Sequence, residues 1–334
     1  MPELRQEPVT GNWVVIATDR AKRPESFSQS QKEENSCDIV CPFCYENEQM
    51  TPPEVMAYRP PETEPNTPGW KLRVVPNKFP AFVQEPKTAG TQSGFYRSIP
   101  SIGFHEVIIS SPDHDRNMAL LSNKELVTVI SAYKDRYTQL KKEPGVEYIL
   151  IIANHGRKAG ASIEHPHAQL FAGPMIPAKI CEELAGSLNY YRANDRCIFC
   201  DIIREELGSK LRVVLDTKHF IAFCPYASRL PFETWVVPKK HSSHFEKISP
   251  QEINNLASAM RLVLKKLHKG LNDPAYNFFI HTSPCRSASL AHYHWHLEIL
   301  PKLNIQAGFE IGSGIMINIT RPEDTAAFLK SIEV

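Results

Sequence analysis

The residues best equipped for chemistry are His165-Pro166-His167-Ala168-Gln169. In an extended segment, side chains two apart project to one face. His165, His167 and Gln169 therefore stand in a row, with Pro166 held to an edge or bulge because it has no N–H for a ladder. A neutral imidazole is nucleophilic near pH 7 and can attack phosphorus, forming a labile phosphoramidate. Gln169 can donate to a phosphoryl oxygen without adding charge. Just upstream, Asn154-His155-Gly156-Arg157-Lys158-Ala159-Gly160-Ala161-Ser162 joins two glycines, which permit close backbone approach, to donors on Asn154 and Ser162. That is the composition of an anion-binding loop. His167 is the expected nucleophile, with Gln169 and Ser162 beside it.

Two Cys-x-x-Cys pairs, Cys41/Cys44 and Cys197/Cys200, are each followed by a histidine after a strand and by another in a His-x-His segment. Two thiolates and two imidazoles complete a tetrahedral zinc site. The expected ligand sets are Cys41, Cys44, His114 and His165, and Cys197, Cys200, His241 and His294. Full ligand sets leave no open position, so both zincs should be architectural, each pinning a cysteine hairpin near a His-x-His strand. A metal on His165 would hold His167 beside it with little rotational freedom.

Stepping outward, the chain repeats itself. Cys41-x-x-Cys44, Leu72–Val75, Asn77–Phe82, Phe104–Ile109, His114 and the segment through His167 are matched, in the same order, by Cys197-x-x-Cys200, Leu211–Val214, Lys218–Phe223, Phe232–Val237, His241 and His294-Trp295-His296. A duplicated unit explains that order. Ser122-Asn123-Lys124-Glu125 and Ser249-Pro250-Gln251-Glu252 are capping boxes, each opening an apolar stripe at helical spacing, with Gly270 ending the second. The β-branched runs Leu72–Val75, Val107–Ile109, Tyr148–Ile152, Leu211–Leu215, Thr234–Val237 and Tyr276–Ile280 read as strands. A linking helix is expected over 176–195 and a short one over Thr325–Ile332, with residues 19–36 forming a polar surface loop. The expected fold is α+β: two copies of one duplicated unit, residues 1–180 and 181–334, each an antiparallel sheet with a long helix on one face.

With 334 residues, 42% hydrophobic and 22% charged, the chain is long enough for two domains with their own cores. Net charge +1 gives no general attraction for nucleic acid or an anionic membrane. The N-terminus lacks the pattern of a signal peptide and no apolar run spans a bilayer, so a cytoplasmic protein is expected.

Asp19-Arg20-Ala21-Lys22-Arg23-Pro24, the paired Cys-x-x-Cys, Asn77-Lys78-Phe79, Ser111-Pro112-Asp113-His114 and His165-Pro166-His167-Ala168-Gln169 resemble the galactose-1-phosphate uridylyltransferase family of the histidine-triad superfamily. The resemblance implies a ping-pong reaction: His167 takes uridylyl from UDP-glucose and passes it to galactose 1-phosphate. It further implies that Asn154, Gly160, Ser162 and Gln169 hold the α-phosphate. Asn77 and Phe79 would line the ribose and base, Arg20 and Arg23 meet phosphate oxygens, and Glu310 accepts from hexose hydroxyls. Lys78 stands where an aspartate is expected. Plant-type relatives with an ending like Gly308–Gly314 are ADP-glucose phosphorylases, which use phosphate as acceptor; His296, which they tend to lack, tilts the reading toward uridylyl transfer. A nucleotide sugar and a sugar phosphate are thus the expected partners, in a homodimer. The rivals are a dinucleoside-phosphate hydrolase and a zinc-scaffolded nucleotide- or RNA-binding module. In the second half Glu298 replaces Gln169's counterpart and residues 281–287 lack the paired glycines, so His296 and Glu298 are assigned a structural or sugar-side role.

Overall fold

The computed structural model describes residues 1–22, 40–85 and 90–334. Arg23, Cys37 and most of the polar loop over 19–36 lie outside the described residues. Strands β1 (Glu3–Gln6) and β2 (Trp13–Ile16) open the chain, and β3 (Met56–Tyr58) and β4 (Leu72–Pro76) follow. A surface hairpin of β5 (Thr91–Ser93) and β6 (Tyr96–Ser98) leads to β7 (Phe104–Ile109), helix α1 (Asn123–Leu140), β8 (Tyr148–His155) and β9 (His167–Gly173). Helices α2 (Ala178–Asn194) and α3 (Ile198–Ser209) then lead to β10 (Val213–Asp216), β11 (Phe220–Phe223) and β12 (Thr234–Pro238). The chain continues through α4 (Pro250–Gly270), β13 (Tyr276–His281), β14 (His296–Pro301), α5 (Gly308–Ser313), β15 (Met316–Asn318) and α6 (Pro322–Ser331).

Among the described residues, ten strands form one antiparallel sheet in the order β10-β11-β12-β14-β13-β8-β9-β7-β4-β3. Its seam is β8 against β13, from Tyr276 opposite His155 to Ile280 opposite Ile151. From that seam outward both halves run alike: the strand after the long helix, the strand of the His-x-His segment, then the strand before the helix.

Period-two alternation decides which face is which. Ala168, Leu170 and Ala172 of β9, with Leu297 and Ile299 of β14, turn to the helix face. His167 and Gln169, and His296 and Glu298, alternate with them and turn to the other. Both capping boxes form: Ser122 Oγ accepts from Glu125 N and Ser249 Oγ from Glu252 N, each at 3.3 Å, while each glutamate accepts from its serine's backbone N–H. The stripes they open, Leu126 to Leu140 and Ile253 to Leu267, bury into one apolar cluster drawn from both halves. Each fully buried aliphatic side chain there contributes about 1.5–3 kcal/mol. The largest core is thus shared between the halves, with a smaller apolar cluster around Phe43 in the first and one around Phe199 in the second.

Three further expectations change. The match of Leu72–Val75 to Leu211–Val214 does not survive as position in the sheet, because β4 pairs directly with β7 whereas β10 reaches β12 only through β11. The residues aligned with β11, Phe79-Pro80-Ala81-Phe82, include a proline that cannot donate to a ladder. Cys197-Ile198-Phe199-Cys200 is the start of α3 rather than a hairpin. Last, the N-terminal strands pack on the second half: β2 pairs in parallel with β15, Arg5 bonds Glu323 at 2.8 Å, and Val14, Ile16, Ala227 and Met316 cluster together. No helix among the described residues is long and apolar enough to cross a membrane.

Candidate active site and metal centres

His167 is the first residue of β9 and opposes Ile109 of β7, so Pro166 lies just before the ladder rather than within it. Its Nδ1 lies 2.8 Å from the carbonyl of His165. A carbonyl only accepts, so Nδ1 carries the proton and Nε2 keeps its lone pair. Burial lowers the pKa of the ring below the ordinary 6.5, and Phe43 packs edge-on at 5.3 Å. A neutral, oriented imidazole with a free Nε2 is what nucleophilic attack on phosphorus requires.

Gln169 shares this face, and its Oε1 is 2.8 Å from His105 Nε2. His105 also touches Asn77, whose Nδ2 lies 3.2 Å from the same nitrogen, and it stacks on Phe171 at 4.0 Å. Beside β9, the loop after Asn154 turns through Gly156 (φ +78°) and Gly160 (φ +87°), conformations that favour glycine. A Cβ on Gly156 would come within 2.9 Å of Ala275 Cβ, so this glycine admits the neighbouring β13 segment. Gly160 and Ser162 stay exposed at the loop's tip. Asn277 of β13 donates to Asn154 Oδ1 and to the Ala159 carbonyl, both at 2.7 Å.

The two expected metal sets assemble. The ligand atoms of Cys41, Cys44, His114 and His165 lie within 4.8 Å of one another, as do those of Cys197, Cys200, His241 and His294. In each, histidine Nδ1 faces the thiols: Cys44 Sγ is 3.4 Å from His114 Nδ1, and Cys200 Sγ is 3.5 Å from His241 Nδ1. The opposite nitrogen of His165 donates to Ser111 O at 2.7 Å and that of His241 to Leu290 O at 3.1 Å, the outer support that orients metal-bound histidines. Burial, and then Cys41, push the Cys44 thiol up to about 11. Two thiolates this close need a cation between them, so the donor chemistry fits a bound metal ion. Such an ion would tie the Cys41–Cys44 turn, through Phe43, to the His167 face.

The second half holds a group that sequence reasoning did not assemble. Glu183 of α2, His281 of β13, and His296 and Glu298 of β14 are all buried, with ligand-capable atoms within 4.8 Å of one another. Burial opposes ionisation of Glu183, but His281 at 2.9 Å brings its carboxyl down to about 2. Glu298 is likewise held ionised against burial by Arg229 and Lys179. His296 repeats the geometry of His167, with Nδ1 donating to His294 O at 3.1 Å. Against burial, the Glu298 carboxylate 3.5 Å from its Nε2 raises its pKa, opposite to the shift at His167. A cavity of about 300 Å³ beside this group is lined by Phe199, Trp235, Lys179 and Arg229, and on its other side by Val9, Asn12 and Val14 of the N-terminal segment.

A family profile described as galactose-1-phosphate uridyl transferase, N-terminal domain, matches residues 1–177, and its C-terminal companion matches residues 184–332. The chain belongs to the galactose-1-phosphate uridylyltransferase family. Relatives include the ADP-glucose phosphorylase of Arabidopsis thaliana, 38% identical across 100% of this chain and 93% of the relative. The galactose-1-phosphate uridylyltransferase of Thermotoga maritima is 27% identical across 100% of this chain and 99% of the relative. Among solved structures, an Arabidopsis thaliana ADP-glucose phosphorylase with bound ADP-glucose matches with TM-score 0.84 at 36% identity, covering 100% of both chains. A uridylyltransferase structure matches with TM-score 0.77 at 27% identity, covering 99% of this chain and 98% of the other.

In this member of the uridylyltransferase family, His167 and Gln169 share one face of β9, the β8 register sets Asn154 beside His167 with Gly160 and Ser162 in the loop that follows, and Asn77 and Gln169 flank His105. Phe79 is 84% exposed next to Asn77, whose Oδ1 accepts from its backbone N–H. Arg20 is exposed on a short turn after β2, and Glu310, on α5, accepts from Ala307 N at 3.1 Å. Both follow or precede strands of the layer that packs on the second half. Successive antiparallel strands from β9 to β14 place His167 and His296 at opposite ends of the same sheet face, and that layer covers the His296 end. His105 and Asn277 escaped the sequence reading: His105 showed only as part of a strand, and Asn277 lies 123 residues from Asn154.

Proposed function

We propose that this chain is a nucleotidyltransferase in which His167 Nε2 attacks the α-phosphorus of a nucleotide sugar. The bond from that phosphorus to the bridging oxygen breaks and sugar 1-phosphate leaves. An oxygen of a second phosphate compound then attacks the same phosphorus, the P–N bond breaks, and His167 is restored. The observation that carries this reading is the His167 ring, held neutral by burial and tethered through Nδ1 to the His165 carbonyl, which leaves Nε2 with its lone pair. Gln169, Asn154 and the Gly160–Ser162 backbone would hold the α-phosphate, and Asn77 and the exposed Phe79 the ribose and base. Arg20 and Arg23 would meet phosphate oxygens.

For the nucleotide, we favour adenylyl taken from ADP-glucose and passed to phosphate, on the 38% identity to a phosphorylase against 27% to a uridylyltransferase and on the Gly308–Gly314 ending. Uridylyl transfer from UDP-glucose to galactose 1-phosphate, the expectation from sequence, is the second reading, supported by the family profiles over both halves. His296 no longer tilts the choice, because it is buried at the far end of the sheet from the nucleophile. Mass spectrometry of the intact protein after mixing with each donor decides. An adduct on His167 from ADP-glucose, discharged by phosphate, is expected; an adduct only from UDP-glucose, discharged by galactose 1-phosphate, would reverse the preference. His167→Ala should abolish labelling while metal content stays unchanged.

Zinc at both Cys₂His₂ sets, in an architectural role, and descent of the halves from one duplicated histidine-triad-like unit complete the reading. The described cysteines are free thiols, four of them gathered in pairs with histidines, which supports a cytoplasmic protein. Glu310, with exposed Phe309 and Ile311 on either side, supports a homodimer in which α5 serves the partner's nucleophile. Mixed dimers of His167→Ala and Glu310→Ala chains should then recover activity that neither variant has alone.

A further inference from the structure

We propose that His105 and Asn277 are positioning residues that preset the amide donors of the phosphate site, Gln169 and Asn154; the inference rests on the nucleotidyl-transfer reading above. A side-chain amide has an accepting end and a donating end, and the end that meets the substrate is fixed by what the other end meets.

At Gln169 the decision is made one residue further back. His105 Nδ1 lies 3.1 Å from the backbone nitrogen of Ala81. A backbone N–H can only donate, so Nδ1 is the unprotonated nitrogen, and in the neutral ring the proton sits on Nε2. Burial lowers the His105 pKa, which keeps the ring neutral, and the stack on Phe171 keeps it in plane. Nε2–H therefore donates to the Gln169 oxygen at 2.8 Å, and the Gln169 NH₂ is left to face the phosphoryl group. The Asn77 oxygen accepts from Phe79 N at 2.9 Å, so its NH₂ lies 3.2 Å from the protonated Nε2 as a contact without a hydrogen bond.

Asn154 is fixed from the other half of the molecule. Asn277 spends its amide on two acceptors, Asn154 Oδ1 and the Ala159 carbonyl. The Asn154 oxygen is thereby occupied, and its NH₂ points toward Gly160, where a Cβ would lie 4.0 Å away. Without these partners each amide can turn over and present lone pairs to the phosphate oxygens. Donors aimed before the substrate arrives need no reorganisation as charge develops on the phosphoryl oxygens.

The test is the single-turnover rate of His167 adduct formation in the full chain at saturating ADP-glucose and, separately, UDP-glucose. His105→Phe retains the stack on Phe171, and Asn277→Leu retains shape without donors. Each is expected to slow the adduct by about 10- to 100-fold, a fraction of what loss of a transition-state donor costs. His105→Gln, which keeps an N–H near the Nε2 position, should recover most of that rate, and Asn277→Asp, which keeps the shape, should be as slow as the leucine variant. In a Gln169→Ala background His105→Phe should add no further loss, and Asn277→Leu none in an Asn154→Ala background. Equal losses in both backgrounds, or unchanged rates in melting-competent variants, would overturn the proposal. Failure of the nucleotidyl-transfer reading would show differently, as no adduct in the wild type, and would remove the inference with it.

Discussion

His167 and His296 have the same backbone tether, the same aromatic neighbour from a Cys-x-x-Cys segment and the same place on a strand, yet only one is dressed for attack. What separates them is the residue two further on. A neutral amide at Gln169 leaves His167 neutral, while the carboxylate of Glu298 draws His296 toward the charged form. Gln169→Glu should therefore reduce adduct formation by at least about 100-fold: like charges 4 Å apart repel by about 4 kcal/mol at an effective dielectric of 20. Melting temperature and metal content, read in parallel, should change little. At this scale the row of His165, His167 and Gln169 and both groupings of two cysteines with two histidines were legible, because each motif is short and names its chemistry by residue type. His105, Asn277 and the Glu183–His281 pair were not, because contacts across 64, 123 and 98 residues leave no mark on spacing.

Elements were legible where a local rule closes on itself. Both capping boxes are complete within four residues, and both helices start where those residues say. Burial alone would raise the carboxyl of Glu125, but bonds from Ser122 and Arg116 bring it below its ordinary 4.5, and bonds from Ser249 do the same for Glu252. Depressed carboxyl values make this stabilisation fully present above about pH 4.5 and lost as pH falls through the lower folded values. Urea midpoints measured from pH 6 down to pH 3 should therefore decline, and Glu125→Gln with Glu252→Gln should flatten part of that decline, each change costing roughly 1 kcal/mol or less at pH 6. Sheet position was less legible than strand existence. Leu72–Val75 reads like Leu211–Val214, but Pro80 removes the strand that would have stood between β4 and β7. The α3 start was hidden because Cys-x-x-Cys suits a turn and a helix N-terminus equally well.

For the whole molecule, the seam matters most. β8 and β13 share five register pairs, and α1 and α4 bury their stripes in one cluster, with Asn123 bonded to Asn254 at 2.8 Å across the helix starts. Urea should therefore unfold the chain in a single transition by both tryptophan emission and far-UV dichroism. A fragment of residues 1–180 should fail to fold, since it would expose the β8 edge and half of the α1 stripe to water. A dicysteine-directed chelator should lower the melting temperature without splitting that transition, because both Cys₂His₂ sets fasten to the same sheet.

Gly156 leaves room for Ala275 of the second half, and Asn277 of that half occupies the Asn154 oxygen. A lineage could thus let the far histidine lose its vocation and still be unable to discard the lobe that bears it. The half without a nucleophile would be kept under selection by the loop it braces as well as by Glu310.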